Sequence, residues 1–179
     1  MKNCIGFFVA YCLCANVLFA AGPKVTFEKT PYGGIQPQAM VDSAGTLHLL
    51  YYKGLPREGD LYYVAREKGQ KNFSAPLKVN NIKGSACCIG AIFRARMAIS
   101  HDGIVHVLWN GSFGFVKKQW EKKGKKRTPE EFTYLFYSRL ADDGKSFKAQ
   151  INLNRNTYGL DGNGSITVDR NGVVRVFWH

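Results

Sequence analysis

Arg94 and Arg96 flank a single alanine in the stretch Phe93-Arg94-Ala95-Arg96. A guanidinium presents a planar fork of donors that pairs bidentately with a carboxylate. Two such side chains on one extended segment could therefore grip an acidic ligand. They could equally serve the fold, one solvated and the other paired with a carboxylate of a neighbouring element. Both arginines have counterparts elsewhere in the chain. Taking Gly45, Gly103 and Gly172 as reference points, the positions nine residues earlier hold Gln36, Arg94 and Asn163. The positions seven earlier hold Gln38, Arg96 and Ser165. Asp161, in Gly159-Leu160-Asp161-Gly162, lies close to the last of these.

Other residue types capable of chemistry sort themselves quickly. His48 and His106 share a column with Arg175 and alternate with apolar neighbours. A recurrent polar residue on a buried strand needs a hydrogen-bond partner, and these are expected to bond across neighbouring sheets rather than to catalyse. Of the five cysteines, Cys4, Cys12 and Cys14 fall in the N-terminal apolar run, which leaves Cys87 and Cys88. That pair offers neither a disulfide framework nor ligand spacing for zinc. It could close a vicinal disulfide or form two small side chains in a turn. No metal and no cofactor is expected. The net charge is +12, and seven basic residues against three acidic ones fall between Lys117 and Glu131, around Trp120. A polyanion could bind there, but charge runs are more often solvated surface, and an insertion between two strands is the preferred reading. Nucleic acid is not expected as a partner.

Gly45, Gly103 and Gly172 mark a repeat that must position the arginines. Ala39–Tyr52 (AMVDSAGTLHLLYY), Met97–Asn110 (MAISHDGIVHVLWN) and Ile166–His179 (ITVDRNGVVRVFWH) align without a gap. Each reads as an apolar strand, a polar turn ending in Gly, and a second strand ending in an aromatic residue. This is a β-hairpin pattern in which Gly supplies a positive φ. A second motif follows the first two copies. Leu61–Asn80 and Leu135–Asn154 align with Tyr63 on Tyr137, Phe73 on Phe147 and Asn80 on Asn154. The unit is therefore four strands, and a four-stranded unit repeated at this scale indicates an all-β fold, a β-propeller. A β-sandwich does not predict gap-free repeats of this kind. The first blade is expected over about 36–80 and the second over about 94–154. Half of a third is expected over about 163–179, giving some two and a half blades. A propeller has four to eight blades, so the chain reads as an N-terminal fragment of a longer protein. In such a ring the innermost strands begin at the central channel, and Gln36, Arg94 and Asn163 are expected around one site there.

Within the second motif, Ala141–Phe147 (ADDGKSF) resembles the Asp-box of sialidases, also called the BNR repeat: Asp142, Gly144, Ser146 and Phe147 fit, while Leu140 stands where that motif has Ser. The first copy, Glu67–Phe73 (EKGQKNF), keeps only the Gly and the aromatic. The phrases at Ile35–Tyr52, Asp60–Arg66, Gly103–Ser112 and Leu160–Gly172 are likewise similar to those of exported bacterial proteins of the sialidase superfamily. The resemblance implies a six-bladed propeller when complete, with a structural Asp-box whose Asp accepts backbone hydrogen bonds inside a tight turn. It implies an exo-alpha-sialidase type of glycosidase. Three arginines would clamp the substrate carboxylate, an Asp would act as acid/base, and a Tyr assisted by Glu would act as nucleophile. The Tyr and two of the arginines would lie in later blades. The partner implied is a glycan or sialylated glycoconjugate, with Arg94, Arg96, Gln36, Asp161 and Asn163 as candidate binding residues. The family's Phe/Tyr-Arg-Ile-Pro hallmark is reduced here to Phe93-Arg94. Asp-boxes also occur in propellers that cleave nothing, so a non-catalytic scaffold that binds glycans or proteins is the alternative.

The first 21 residues carry one charge, Lys2, then an apolar run closed by Ala20-Ala21 ahead of Gly22-Pro23. This pattern predicts a secretory signal peptide, and hence a secreted or periplasmic protein with no membrane contact beyond export. A retained membrane anchor is the alternative reading of the same run.

Overall fold

The computed structural model of the chain describes residues 24–88, 90, 94–111, 134–153 and 164–178. It is all-β, built from antiparallel sheets. The first sheet contains β1 (Ile35–Val41), β2 (Leu47–Leu55), β3 (Glu58–Arg66) and β4 (Leu77–Lys78) in sequential order. The second contains β5 (Arg96–Ile99), β6 (Val105–Asn110), β7 (Leu135–Arg139) and β8 (Ile151–Asn152) in the same order. A third sheet pairs β9 (Ser165–Val168) with β10 (Val174–Phe177).

The repeats seen in the sequence are repeats of structure. Gly45, Gly103 and Gly172 have φ of 83°, 82° and 78°. Each donates its N–H to the carbonyl three residues earlier, on Asp42, Ser100 and Asp169 respectively. At the same three positions a side-chain oxygen accepts the N–H four residues on: Thr46 to Asp42 (2.8 Å), Ile104 to Ser100 (3.1 Å) and Val173 to Asp169 (2.9 Å). Each turn is thus closed by Gly on one side and by a short polar side chain on the other. The outer strands repeat as well. Tyr63 pairs with Leu77 as Tyr137 pairs with Ile151. Val79 donates to Leu61 as Leu153 donates to Leu135.

Strand alternation sends successive side chains to opposite faces, and this decides how the sheets stack. From β2, Leu50 and Tyr52 meet Val105, Val107 and Trp109 of β6 in the largest core, while Leu49 and Tyr51 face the other way. From β6, Leu108 turns to the third sheet and meets Ile166 and Val176. The second sheet is therefore covered on both faces, and every residue of β6 is buried. That double burial is why apolar side chains stand on both of its faces, Val105, Val107 and Trp109 on one and Leu108 on the other. On the outward face of the first sheet lies the extended segment before β1, held by Glu28 on Arg66 through two hydrogen bonds of 2.8 and 2.9 Å.

A short buried segment stitches the first two sheets together. Ala86 forms bridges with both Gly59 and Gly111. Cys87 N–H donates to Asn110, and Cys88 N–H to Pro56. Both thiols are buried and neither forms a disulfide. They are the small side chains of this seam.

Candidate functional site

Each sheet has two ends: the end where its first strand begins, and the end carrying its Gly turn. At the strand starts, β1 carries a bulge between Ile35 and Gln38, where Ile35 faces Tyr52 and Gln38 faces Leu50. Gln36 lies inside the bulge with φ of 49°, a left-handed backbone that costs a residue with a Cβ. The bulge swings its side chain out of the sheet, and Gln36 Nε2 donates to the Gly90 carbonyl at 2.7 Å. Two residues on, Gln38 Oε1 accepts the Met97 N–H of β5 at 2.6 Å. The first sheet thereby holds the start of the second through two amide side chains.

Arg96 is the first residue of β5 and is half-buried, facing Leu108 in the register of β6. Among the described residues it has no ion-pair partner. Arg94, just before the strand, is exposed. Its charge reaches the thiol of Cys88, where burial pushes the pKa up more strongly than the arginine draws it down. Gln36, Arg94 and Arg96 thus stand at the starts of neighbouring first strands. Ser165 opens β9 in the corresponding place and is exposed. Asp161 and Asn163 lie outside the described residues, as do the leader, Trp120 and the basic run around it.

At the same end, a polar cluster missed in the sequence ties β3 to the segment after β4. Asn80, fully buried, accepts the Leu61 N–H at 2.8 Å and donates to Asp60 Oδ1 at 2.8 Å and to the Ile82 carbonyl at 2.7 Å. Burial alone would raise the pKa of Asp60. Hydrogen bonds from Asn80, Gly84 N–H and Lys78 outweigh that and hold it below the usual carboxylate range. The only signal in the sequence was the recurrence of Asn80 and Asn154.

The turn end is a second polar layer, and here two expectations are corrected. His48 and His106 bond within their own sheets, not across them. His48 Nδ1 meets Tyr63 Oη at 2.7 Å and its Nε2 meets Asp42 Oδ2 at 3.1 Å, while His106 Nδ1 meets Tyr137 Oη at 2.7 Å. In the third repeat Arg175 reaches Asp169 at 2.5 Å. The reason is register: each histidine sits diagonally across the strand pair from its tyrosine, and all three residues sit just above their own turns. The second correction concerns Asp142. Its carboxylate faces Arg139 (2.7 Å) and Lys148 (3.8 Å) in solvent, and Arg139 holds its pKa below the ordinary value. The backbone N–H of Lys145 goes instead to Asp143 Oδ1 at 2.9 Å. Gly144 (φ 67°) donates to Ala141, and Ala141 N–H donates to Ser146. Phe147 leaves its own turn to meet the Tyr63 ring of the first sheet edge-on, with centroids 5.7 Å apart.

No protein-family model matches the sequence, and no curated protein matches it. Among solved structures, the chain is similar to one described as Hadza microbial sialidase Hz136. The TM-score is 0.50 at 14% identity, covering 77% of this chain and 30% of that one. The chain thus spans about a third of the length of the structure it matches. The antiparallel four-stranded sheets and this likeness together show a sialidase-like fold.

Proposed function

We propose that this chain is part of an exported, six-bladed sialidase-like propeller that takes sialylated glycans at the strand-start end of its sheets. Arg94 and Arg96 would receive the sialic acid carboxylate there. The observation that carries this reading is the placement of the two arginines. Arg96 opens the first strand of a sheet that repeats its neighbour and Arg94 lies just before it, in a fold similar to a sialidase. Arg96 supports it further, because no carboxylate among the described residues neutralises it. If the whole protein is catalytic, its reaction is exo-alpha-sialidase hydrolysis. That reaction needs an acid/base and a nucleophile flanking the scissile bond, in addition to the carboxylate clamp.

A non-catalytic glycan-binding scaffold is the second reading, and one observation favours it. Gln36 and Gln38 hold Gly90 and Met97, so two of the residues at the strand starts serve the joint between sheets.

Incubating residues 1–179 with 4-methylumbelliferyl-sialic acid, and titrating them with sialyllactose and with lactose, tests both readings. The expected result is selective binding of sialyllactose, weakened by Arg94→Ala, with no release of fluorophore. Catalytic groups act as a unit, and loss of some members removes most of the rate. Turnover abolished by Arg94→Ala would show that these residues already hold a complete active site. Equal affinity for the two sugars would remove the arginine clamp from the proposal.

A further inference from the structure

The second and third sheets leave a polar cavity of about 340 Å³ between them, at the turn end and therefore remote from the strand starts. Ser100, Asp102, His106, Tyr137, Arg139 and Asp142 line it from the second sheet, and Val174 from the third. Comparison of the repeats shows what is unusual here. In the first sheet, His48 has both ring nitrogens occupied, one by Tyr63 and one by Asp42. In the second sheet the position of Asp42 is held by Ser100. The nearby carboxylate, Asp102, accepts the Ser100 hydroxyl instead of reaching the histidine. His106, only 5% exposed, is left with Nδ1 on Tyr137 and with no partner for Nε2 among the described residues. An imidazole nitrogen can donate or accept, and this one belongs to a residue in the cavity wall.

We propose that this cavity binds one ring of a neutral sugar through a pair of adjacent hydroxyls, with His106 Nε2 and Asp102 taking one hydroxyl and the Arg139–Asp142 pair the other. The charge balance excludes other classes. Two carboxylates line the space and repel an anion. The single guanidinium already pairs with Asp142 at 2.7 Å, and Lys148 stands at 3.8 Å from the same carboxylate, which leaves Asp102, bonded to the Ser100 hydroxyl, as the acceptor for a ligand's donor. Among the described residues no three His, Cys, Asp or Glu side chains converge as metal ligands. A hydroxyl, by contrast, both donates and accepts, and so meets an imidazole in either tautomer and a carboxylate beside it. Tyr137, stacked on His106 at 6.0 Å, and Val174 supply the apolar walls against which a sugar ring can lie. The volume falls in the range of small-ligand sites, about 300–1,000 Å³. The site is independent of the strand-start site proposed above and stands or falls separately.

The test is a titration of the full chain with methyl β-galactoside and, separately, with sialic acid, following the ring nitrogens of the histidines by NMR. The galactoside is expected to saturate with a Kd on the order of millimolar, moving the His106 resonances and leaving those of His48 in place. Ser100→Asp supplies His106 with the carboxylate that His48 already has. It should weaken binding at least about tenfold without lowering the melting temperature. Asp102→Asn provides a second variant should Ser100→Asp fold poorly, and should weaken binding in the same direction. No saturable shift at His106, unchanged affinity in both variants, or tighter binding of sialic acid than of galactoside at His106 would overturn the proposal.

Discussion

Asp142 illustrates how much a motif says about its residues. The Asp-box pattern marks the stretch in which Gly144 has positive φ and Phe147 meets the Tyr63 ring of the first sheet. It misassigned the carboxylates, because Arg139 at the end of β7 competes for Asp142 and leaves Asp143 to hold the turn. Since Asp142 is solvent-exposed, Asp142→Ala should shift the urea midpoint less than Gly144→Ala, which forces a Cβ into a left-handed backbone. A larger loss from Asp142→Ala would restore the backbone-capping role. His106 sets the pH response. Burial, aided by the Arg139 charge, lowers its pKa against the opposing pull of Asp102, while Tyr137 bonds its other nitrogen. The unfolded chain then binds more protons than the folded one below the ordinary histidine pKa of about 6.5. Stability is therefore intact above that value and declines as pH falls through it. Midpoints measured at pH 7.5 and 5.5 should show this decline, and His106→Gln should reduce it. An equal decline in the variant would place the titration elsewhere.

At the scale of elements, the hairpins were the most legible part of the chain. Three gap-free copies carry the same Gly, and a left-handed turn residue leaves a strong mark on sequence. The column holding Asp42, Ser100 and Asp169 was equally regular but went unread, because two Asp and one Ser do not look alike until their common role as turn acceptors is seen. The bulge at Gln36 was not legible at all, since nothing in the residue type announces a left-handed Gln. Gly103 isolates the energetics of the turn: a Cβ there would meet no atom within 4 Å. Gly103→Ala should therefore cost about 1–2 kcal/mol from backbone conformation alone, with Gly103→Asn costing less. A denaturation midpoint unchanged in Gly103→Ala would mean that the turn readjusts.

For the whole molecule, the repeat explains both the stacking and its margins. The second sheet is covered on both faces, whereas among the described residues no strand pairs with the far edge of β10. Phe177 and Trp178 are 61% and 40% exposed there. The candidate site was only partly legible for a related reason. Sequence columns bring Gln36, Arg94 and Arg96 to one end of the sheets, but they cannot tell a side chain that faces a ligand from one that ties two sheets together, as Gln38 does on Met97.

The most direct test of the sialoside site is chemical-shift mapping of the ¹⁵N-labelled chain during titration with sialyllactose. The account predicts perturbations clustered at Gln36, Gln38, Gly90, Arg94 and Arg96, which Arg94→Ala and Arg96→Ala diminish. Perturbations centred on the Gly45 and Gly103 turns instead, or none at saturating ligand, would contradict it.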